Sequence, residues 1–284
     1  MKKSKKITTT FKVMLAHPYG NKEFDRDSFI QPKLDGIRCY ITKDGAFSRN
    51  HKEFKTIDHI KKEFEPLFKT SPDIVVDGEL YNHQLKDNFN KIISLVRKQK
   101  PTKEDLKEAV KYIQFHWYDY YSNTHNYPFR IRNKNIKSKI EDLRARHIVE
   151  VPTYDVDYLE SAKLWHEDFL RLGYEGSIIR TNEPYEQKRS YNLQKFKDFQ
   201  DAEATITGWV EGQGKRIGTV GKFIARDDDG IEFGMPVMDD YNTMKYMYDI
   251  ADWYVGKTAT FTYFQKTPSG SYRHPLFKCV RNYE

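Results

Sequence analysis

A lysine followed by an Asp-Gly pair, in Lys33-Leu34-Asp35-Gly36-Ile37-Arg38, is the stretch of this sequence best suited to chemistry. Asp-Gly favours a tight turn because glycine tolerates backbone angles that other residues resist. A β-favouring run follows at residues 37–41, so we expect Lys33 beside a turn at the mouth of a strand. A lysine amine attacks carbonyl or phosphorus centres once desolvation or neighbouring cations lower its pKa. Without wider context, a solvated lysine beside a hairpin turn is the simpler explanation of the hexapeptide.

Charged and aromatic side chains recur in later β-rich runs. Alternate side chains of a strand share a face, so Glu79 is predicted to share a face with Asp77. In the aromatic run at residues 113–121, Tyr118 is predicted to point away from the face of Trp117 and Asp119. These patterns place an acid and an aromatic ring where each could face a ligand.

Two lysines, Lys195 and Lys197, share a face of the short strand predicted at residues 193–197, and Phe196 points to the other side. Like charges this close on one face are costly unless an anion lies beside them. An exposed edge strand whose charges deter aggregation is the alternative, and without wider context it is the simpler explanation.

Composition places few limits on function. The chain has 284 residues, 38% of them hydrophobic and 15% aromatic, which is enough for two domains or one large one. The net charge of +7 permits a polyanionic partner without requiring one. The two cysteines, Cys39 and Cys279, form neither a zinc motif nor a disulfide framework. With neither a signal peptide nor a membrane-spanning run in the sequence, we expect a soluble, cytoplasmic protein.

The first 200 residues mix helices and strands. Strands are expected around residues 33–41, 45–47, 74–80, 113–121, 176–180 and 193–197. Helices are expected after caps at Thr56 and Asp87, after a Thr102–Asp105 capping box, around residues 136–143, and from Asp157 to a C-terminal cap at Gly173. Apolar spacing directs Ile57, Ile60 and Phe64 inward in the first of these helices, and Leu164, Trp165, Phe169 and Leu172 inward in the last.

After Asp201 the sequence pattern changes and predicts short strands joined by Gly-rich turns. Strands are expected at residues 204–209, 219–225, 231–233, 258–264 and 276–280, with one helix at about 239–254. Five strands with one inserted helix fit an OB-fold β-barrel. The prediction is an α+β fold, with antiparallel sheets and flanking helices in residues 1–200 and a small barrel in residues 201–284. A linker is predicted at residues 198–203.

The order of the motifs is what distinguishes between these explanations. The chain contains KLDGIR, then SRNHKEF, VVDGEL, HWYDYY, YEGSIIR and LQKFKDFQDAEATI. This series resembles the ordered motifs of ATP-dependent DNA ligases, within the nucleotidyltransferases that act through a lysine–nucleotide adduct. The resemblance covers residues 31–281 and is strongest to the small two-domain viral and phage enzymes. It implies a nucleotidyltransferase (adenylation) domain followed by an OB-fold domain.

The resemblance implies a role for each matching residue. Lys33 would be the nucleophile that takes AMP from ATP. Gln31 would read the adenine edge, and Tyr118 would stack on the adenine ring, as aromatic chemistry supports. Arg38 and Arg49 would hold phosphates, including the 5′-phosphate of the nick. Lys195 and Lys197 would contact the α-phosphate, and Arg180 would lie near the nucleotide.

The remaining implied roles concern the metal and the last steps. Glu175 would bind the catalytic Mg²⁺ (or Mn²⁺), and Glu79 would contact the ribose or a metal. Asp35 would assist the final step near the 3′-hydroxyl. Arg273 lies in a stretch, residues 272–281, that resembles the family's final motif, which orients pyrophosphate in the first step. Residues 209–221 are short and Gly-rich where some viral ligases carry a long DNA-embracing insertion, so encirclement of the duplex is not predicted.

The implied enzyme would be a monomer acting on nicked double-stranded DNA, without membrane contact, in the host cell of a virus or phage or in a bacterial cytosol. Two alternatives remain open at this point. An RNA ligase or an mRNA capping guanylyltransferase belongs to the same superfamily, and a capping enzyme would carry GMP instead of AMP. A non-catalytic OB-type nucleic-acid-binding protein would explain the charge and the barrel, although it leaves the ordered charged motifs without a purpose.

Overall fold

A computed structural model describes residues 11–20, 27–196, 200–267 and 270–281. The chain divides into two compact units, Met1–Phe196 and Lys197–Glu284, called here the N-terminal and C-terminal units. Residues 198–199 of the predicted linker lie outside the described residues, and residues 200–203 belong to a strand. No helix in the described ranges is long and apolar enough to cross a membrane.

The N-terminal unit contains two five-stranded sheets. The strands are β1 (Leu15–Pro18), β2 (Ser28–Lys33), β3 (Ile37–Thr42), β4 (Gly45–Phe47), β5 (Ile74–Tyr81), β6 (Gln114–Ser122), β7 (Ile148–Glu150), β8 (Tyr154–Val156), β9 (Gly176–Thr181) and β10 (Arg189–Phe196). Sheet 1 has the order β1-β10-β9-β2-β8, and sheet 2 has the order β4-β3-β5-β6-β7. Neighbours are antiparallel except for β1–β10 and β6–β7, which are parallel.

The strand predicted around residues 33–41 is two strands in two different sheets. The chain leaves sheet 1 after Lys33 and enters sheet 2 at Ile37. The intervening residues, Leu34 to Gly36, form the turn that the Asp-Gly pair predicted. Lys33 therefore lies where the two sheets of this unit meet. The strand β1 was not predicted, because residues 11–20 carry no alternating apolar pattern.

Five helices flank these sheets: α1 (Asp58–Thr70), α2 (Phe89–Val96), α3 (Lys103–Tyr112), α4 (Phe129–Glu141) and α5 (Leu159–Arg171). The inward face predicted for α1 is confirmed, since Ile57, Ile60 and Phe64 are fully buried in the main core. In α5 the prediction is half wrong, because Leu164 and Leu172 are exposed while Phe169 is buried.

Two of the four predicted helix caps are present in the structure. The Thr102–Asp105 capping box of α3 is confirmed, and Gly173 ends α5 with a φ of +86°. The cap predicted at Thr56 is wrong, because its hydroxyl donates to the carbonyl of Val96 at the end of α2. The cap at Asp87 is displaced by one residue, since the Asn88 side chain caps α2.

The C-terminal unit is built mainly from one sheet. Its elements are β11 (Gln200–Glu211), β12 (Val220–Arg226), β13 (Glu232–Pro236), α6 (Tyr241–Asp249), α7 (Ala251–Tyr254), β14 (Thr258–Tyr263), β15 (Gln265–Lys266), β16 (Tyr272–Arg273) and β17 (Leu276–Val280). The sheet order is β13-β12-β11-β14-β17, with β15–β16 as a separate pair. Within the described ranges no ladder joins β13 to β17, so no closed barrel is detected there. The single helix predicted here is broken at Ile250. The mixed α+β class is confirmed.

A buried histidine in the core of the N-terminal unit predicts a loss of stability in acid. His116 on β6 packs edge-on against Tyr81, and burial, with a smaller contribution from His83, lowers the pKa of His116 to about 4. In the unfolded chain the His116 imidazole binds a proton near pH 6.5, whereas in the folded chain it stays neutral down to about pH 4. The free energy of unfolding therefore falls as the pH drops from about 6.5 to 4. We expect this group to contribute about 3 kcal/mol to that fall.

Urea unfolding of the wild type and of His116→Gln at pH 7, 5.5 and 4.5 measures this contribution. The variant should lose less free energy of unfolding than the wild type over that range. Parallel pH curves would show that His116 is not the group responsible.

Candidate active site

Lys33 is held at the end of β2 by Glu175, the residue before β9. The backbone N–H of Glu175 donates to the carbonyl of Lys33 at 3.0 Å, and the Lys33 Nζ forms an ion pair with Glu175 Oε2. The Glu175 side chain is 5% exposed, whereas that of Lys33 is 23% exposed. The carboxylate is thus fixed in the protein interior while the amine reaches a cavity.

The cavity at Lys33 has a volume of about 150 Å³ and receives residues from both sheets. Seven of the residues singled out in the sequence line it: Gln31, Lys33, Arg38, Glu79, Tyr118, Arg180 and Lys195. Ala16, Ile178 and Leu193 give it apolar walls. A concave site with apolar walls and a few convergent polar groups is typical of a small-molecule pocket.

One wall of the cavity is a buried hydrogen-bond chain. Arg180 on β9 donates through Nε to Gln31 Oε1 at 2.7 Å and through Nη1 to Asp119 Oδ2 at 2.9 Å. The amide of Gln31 in turn donates to the carbonyl of Tyr118 at 3.3 Å and to Thr153 Oγ1 at 2.8 Å. Because Arg180 accepts nothing, its contact fixes the oxygen of the Gln31 amide on its own side.

Asp119 is the counterion at the buried end of this chain. It accepts from Arg132 Nε at 2.8 Å and Nη2 at 2.9 Å, in addition to Arg180. Asp119 is fully buried, and the side chains of Arg132 and Arg180 are each only 4% exposed. Two guanidiniums therefore share one carboxylate in the protein interior.

Tyr118 presents its ring to the cavity, close to two cations. The guanidinium carbons of Arg38 and Arg180 lie 5.1 and 5.3 Å from its ring centroid. Its hydroxyl donates to the carbonyl of Gly78 at 3.2 Å, which fixes the plane of the ring. A flat, half-buried ring held in this way can stack on another aromatic ring.

Arg38 on β3 has its guanidinium fixed by a carboxylate. It donates to both oxygens of Asp77, at 2.8 and 2.5 Å, and to the carbonyl of Met14 at 2.9 Å. The Tyr185 hydroxyl also donates to Asp77 at 2.6 Å. Arg38 lines the cavity in an orientation that the protein sets before any ligand binds.

Glu79 on β5 pairs in register with Arg38 and lines the cavity beside it. Burial raises the pKa of Glu79 to about 7, against the opposing effect of Lys33 and Arg38. Lys195 on β10 is cationic and close to Lys33. Burial, with the charges of Lys33 and Arg189, lowers the pKa of Lys195. Two lysine amines facing one small cavity create a site that favours a phosphate.

Gly36 is required by the close approach of the turn after Lys33 to β5. A Cβ at this position would lie 2.6 Å from the carbonyl oxygen of Leu80 and 2.7 Å from the Glu79 side chain. Any larger residue would displace the turn or β5, so the glycine of the Asp-Gly pair is explained by packing.

The other predicted site residues do not line the Lys33 cavity, or lie outside the described residues. Asp35 is in the turn between β2 and β3, and Arg49 is exposed at the tip of a turn that lines a second cleft. Arg273 belongs to β16 of the C-terminal unit. Lys197 lies outside the described residues.

Three residues of this site were not singled out from the sequence as partners: Asp77, Asp119 and Arg132. Arg132 carried a usable signal, because it falls on the same face of α4 as the buried Phe129 and Ile136. A charge on an apolar helix face requires a buried counterion. The identity of that counterion, Asp119, follows only from the three-dimensional structure.

Comparison with known proteins gives a consistent result. Residues 13–197 match the family model described as the ATP dependent DNA ligase domain. The DNA ligase of African swine fever virus (strain Badajoz 1971 Vero-adapted) is 31% identical over 214 residues, which is 70% of this chain and 48% of that protein. The DNA ligase of Haemophilus influenzae is 25% identical over 227 residues, covering 77% of this chain and 75% of that protein.

A solved structure of the Lig E DNA ligases matches the fold, with a TM-score of 0.80 at 22% identity, covering 95% of this chain and 99% of that one. The chain spans about half the length of the African swine fever virus relative.

Proposed function

Because the chain belongs to the family of ATP-dependent DNA ligase domains, we propose that it seals nicks in duplex DNA with ATP as the donor of AMP. The observation that carries the proposal is the cavity at Lys33. There an amine that can act as nucleophile faces an aromatic ring, a second lysine and two arginines. The match to a DNA ligase domain and to named DNA ligases favours this reaction over RNA ligation, mRNA capping or simple nucleic-acid binding.

In the first step the Lys33 Nζ attacks the α-phosphorus of ATP. An N–P bond forms, the bond from the α-phosphorus to the bridging oxygen breaks, and pyrophosphate leaves with the electron pair. Lys33 must lose a proton to attack, and the Glu175 carboxylate that contacts its Nζ is positioned to take it. Lys195 and, by resemblance, Lys197 stabilise the charge that develops on the α-phosphate.

The nucleotide base is held by the opposite wall. The ring of Tyr118 stacks on adenine, and Gln31 accepts from the base edge with the oxygen that Arg180 already orients. This fixed orientation presents an acceptor, which suits the amino group of adenine and does not suit the carbonyl oxygen of guanine at the same position.

Glu79 and Glu175 are the residues that would hold the divalent metal of this reaction. No group of three or more ligating side chains occurs in the described part of the chain. Mg²⁺ is commonly held by one or two carboxylates together with substrate phosphates, so this donor set fits Mg²⁺, and Mn²⁺ has similar preferences. When bound, the ion would neutralise charge on the phosphate oxygens.

The second and third steps transfer AMP to DNA and then release it. A 5′-phosphate oxygen of the nick attacks the phosphorus of the lysine-bound AMP, and Lys33 leaves as the amine. The 3′-hydroxyl then attacks the 5′-phosphorus, and AMP leaves with the bond electrons. Arg38 and Arg49 hold the 5′-phosphate, and Asp35 lies near the 3′-hydroxyl.

We propose that residues 1–200 form the nucleotidyltransferase domain and residues 201–284 the OB-fold domain. We also propose that the enzyme acts as a cytoplasmic monomer.

The proposed function is tested by incubating the protein with ATP, Mg²⁺ and a duplex with one nick, and separating the strands on a denaturing gel. A strand of joined length is expected with ATP. No joined strand with ATP across a range of Mg²⁺ concentrations would refute the proposal.

Arg273 should matter more for the first step than for the last. A residue that orients pyrophosphate acts only while ATP is being cleaved, so Arg273→Ala should slow self-adenylylation by about tenfold or more. Joining of pre-adenylylated DNA should fall much less. Equal losses in the two assays would assign Arg273 to DNA binding or folding instead.

DNA binding should weaken steeply with salt. The net charge of +7 and the cationic site residues indicate contacts with the phosphate backbone, which release counterions. We expect the affinity for nicked DNA to fall by at least about tenfold between 50 and 200 mM salt, as measured by fluorescence anisotropy. An affinity that stays flat over this range would exclude backbone contacts as the main source of binding.

A further inference from the structure

A second cleft, of about 520 Å³, lies in the N-terminal unit next to the Lys33 cavity. Arg38 and Glu79 line both, so the two spaces are adjoining. We call the second space the basic cleft and define it by Ser48, Arg49, Asn50, Lys52, Arg97 and Gln99. Lys52, Arg97 and Gln99 belong to none of the roles assigned above.

The basic cleft carries an excess of positive charge. Arg49, Lys52 and Arg97 are exposed, and no ion pair joins any of them to a carboxylate in the part of the chain that the structure describes. Glu79 is the one acid among the cleft's lining residues. A cleft whose cations lack protein counterions attracts an anionic ligand.

The two walls of the cleft are held in place by the fold. One wall is the turn at residues 48–52, where the Lys52 N–H donates to Ser48 Oγ at 3.1 Å and His51 Nδ1 lies 2.8 Å from the Tyr40 hydroxyl. The other wall is the end of α2, where Arg97 is the C-terminal cap. The buried Thr56 hydroxyl connects the chain after the turn to the last residue of α2, at 3.3 Å. The cations are thus presented on anchored backbone.

We propose that the basic cleft binds the DNA strand that carries the 5′-phosphate, with Arg97 and Lys52 contacting one of the first two internucleotide phosphates beyond the nick. This inference rests on the proposed function. The 5′-phosphate must be bonded to the AMP phosphorus beside Lys33, so its strand has to leave the Lys33 cavity through an adjoining space. The basic cleft adjoins it and carries the opposite charge to the strand.

A different explanation of Arg97 is that its charge stabilises the C-terminus of α2 through the helix dipole. Such a role would not depend on any DNA phosphate. The test therefore combines a change in the protein with a change in the DNA, and asks whether the two effects are independent.

The experiment uses the full chain, pre-loaded with AMP, in single-turnover joining of a nicked duplex. The first or the second internucleotide phosphate after the 5′-phosphate is replaced by an uncharged methylphosphonate. We expect one of these substrates to slow the wild type about tenfold, and Arg97→Ala to slow joining of unmodified DNA by about the same factor. Arg97→Ala acting on that methylphosphonate substrate should be less than about twofold slower than either change alone. Lys52→Ala should show the same pattern as Arg97→Ala. Arg97→Lys, which keeps the charge, should recover most of the rate.

Arg146→Ala is the matched control, because Arg146 is an exposed arginine of the same unit outside both cavities. The Arg146→Ala variant should join the unmodified and the methylphosphonate DNA each at the rate of the wild type on the same DNA. Effects of Arg97→Ala and methylphosphonate that multiply to about a hundredfold would overturn the inference, as would wild-type joining rates for Arg97→Ala. In both of these cases the wild type joins the unmodified nick. Failure of the wild type to do so would instead refute the proposed function, and this inference with it.

Discussion

Lys33→Ala is expected to abolish transfer of AMP from ATP to the protein, a fall of at least about a thousandfold, because it removes the atom that forms the N–P bond. Lys33→Arg should not restore the reaction, since a guanidinium stays protonated and cannot attack phosphorus. The measurement is incorporation of radiolabel from α-labelled ATP into the protein, resolved on a denaturing gel.

Two controls separate chemistry from folding in this variant. Lys69→Ala removes an exposed lysine of α1 that lines neither the Lys33 cavity nor the basic cleft, and it should label like the wild type. Lys33→Ala should still join pre-adenylylated DNA at a measurable rate, because the last step forms no bond to Lys33. Strong labelling of Lys33→Ala would place the nucleophile at another residue.

Asp119→Asn is expected to cause the largest loss of stability among single changes at this site. Two guanidiniums, of Arg132 and Arg180, share the Asp119 carboxylate in the protein interior. Neutralising it leaves their charge uncompensated where water cannot reach, and breaking a buried pair in this way costs about 3–5 kcal/mol. Urea unfolding followed by circular dichroism measures the change in the free energy of unfolding.

The same variant should weaken ATP binding in the fraction that folds. Without Asp119 the Arg180 guanidinium loses its anchor, and with it the contact that orients the Gln31 amide. Asp73→Asn is the matched control, because Asp73 is exposed and forms no ion pair with a described residue. A loss below about 1 kcal/mol for Asp119→Asn would mean that the buried cations are compensated in another way.

Local features of the fold were predictable because their causes lie within a few residues. The capping box of α3 depends on Thr102 and Asp105 alone, and the C-terminal cap of α5 depends on the freedom of Gly173 to adopt a positive φ. The turn after Lys33 likewise follows from its Asp-Gly pair. Each of these is set by residues that are close together in the sequence.

Features that depend on distant partners were missed. Thr56 looks like a helix cap in the sequence, but the end of α2 offers its hydroxyl a buried carbonyl acceptor. Leu164 and Leu172 fit an inward helical pattern, yet they are exposed, and Ala162, His166 and Phe169 form the buried face of α5. Periodicity identifies an amphipathic helix better than it identifies the side that is covered.

The candidate site divides in the same way. The residues that line the Lys33 cavity could be named because they lie in motifs with an ordered series along the chain. The residues that hold them, Asp77 under Arg38 and Asp119 under Arg180, could not be named as partners, because the pairs form across different strands. No spacing rule connects Arg132 on α4 with Asp119 on β6.

The mass of the intact wild-type protein after incubation with ATP and Mg²⁺ tests the central claim most directly. The predicted result is a gain of one AMP, which digestion locates on the peptide containing Lys33 and which is absent when GTP replaces ATP. Adding nicked DNA should return the protein to its original mass as AMP passes to the 5′-phosphate. An unchanged mass with ATP, a gain of GMP from GTP, or an adduct on a peptide without Lys33 would contradict it.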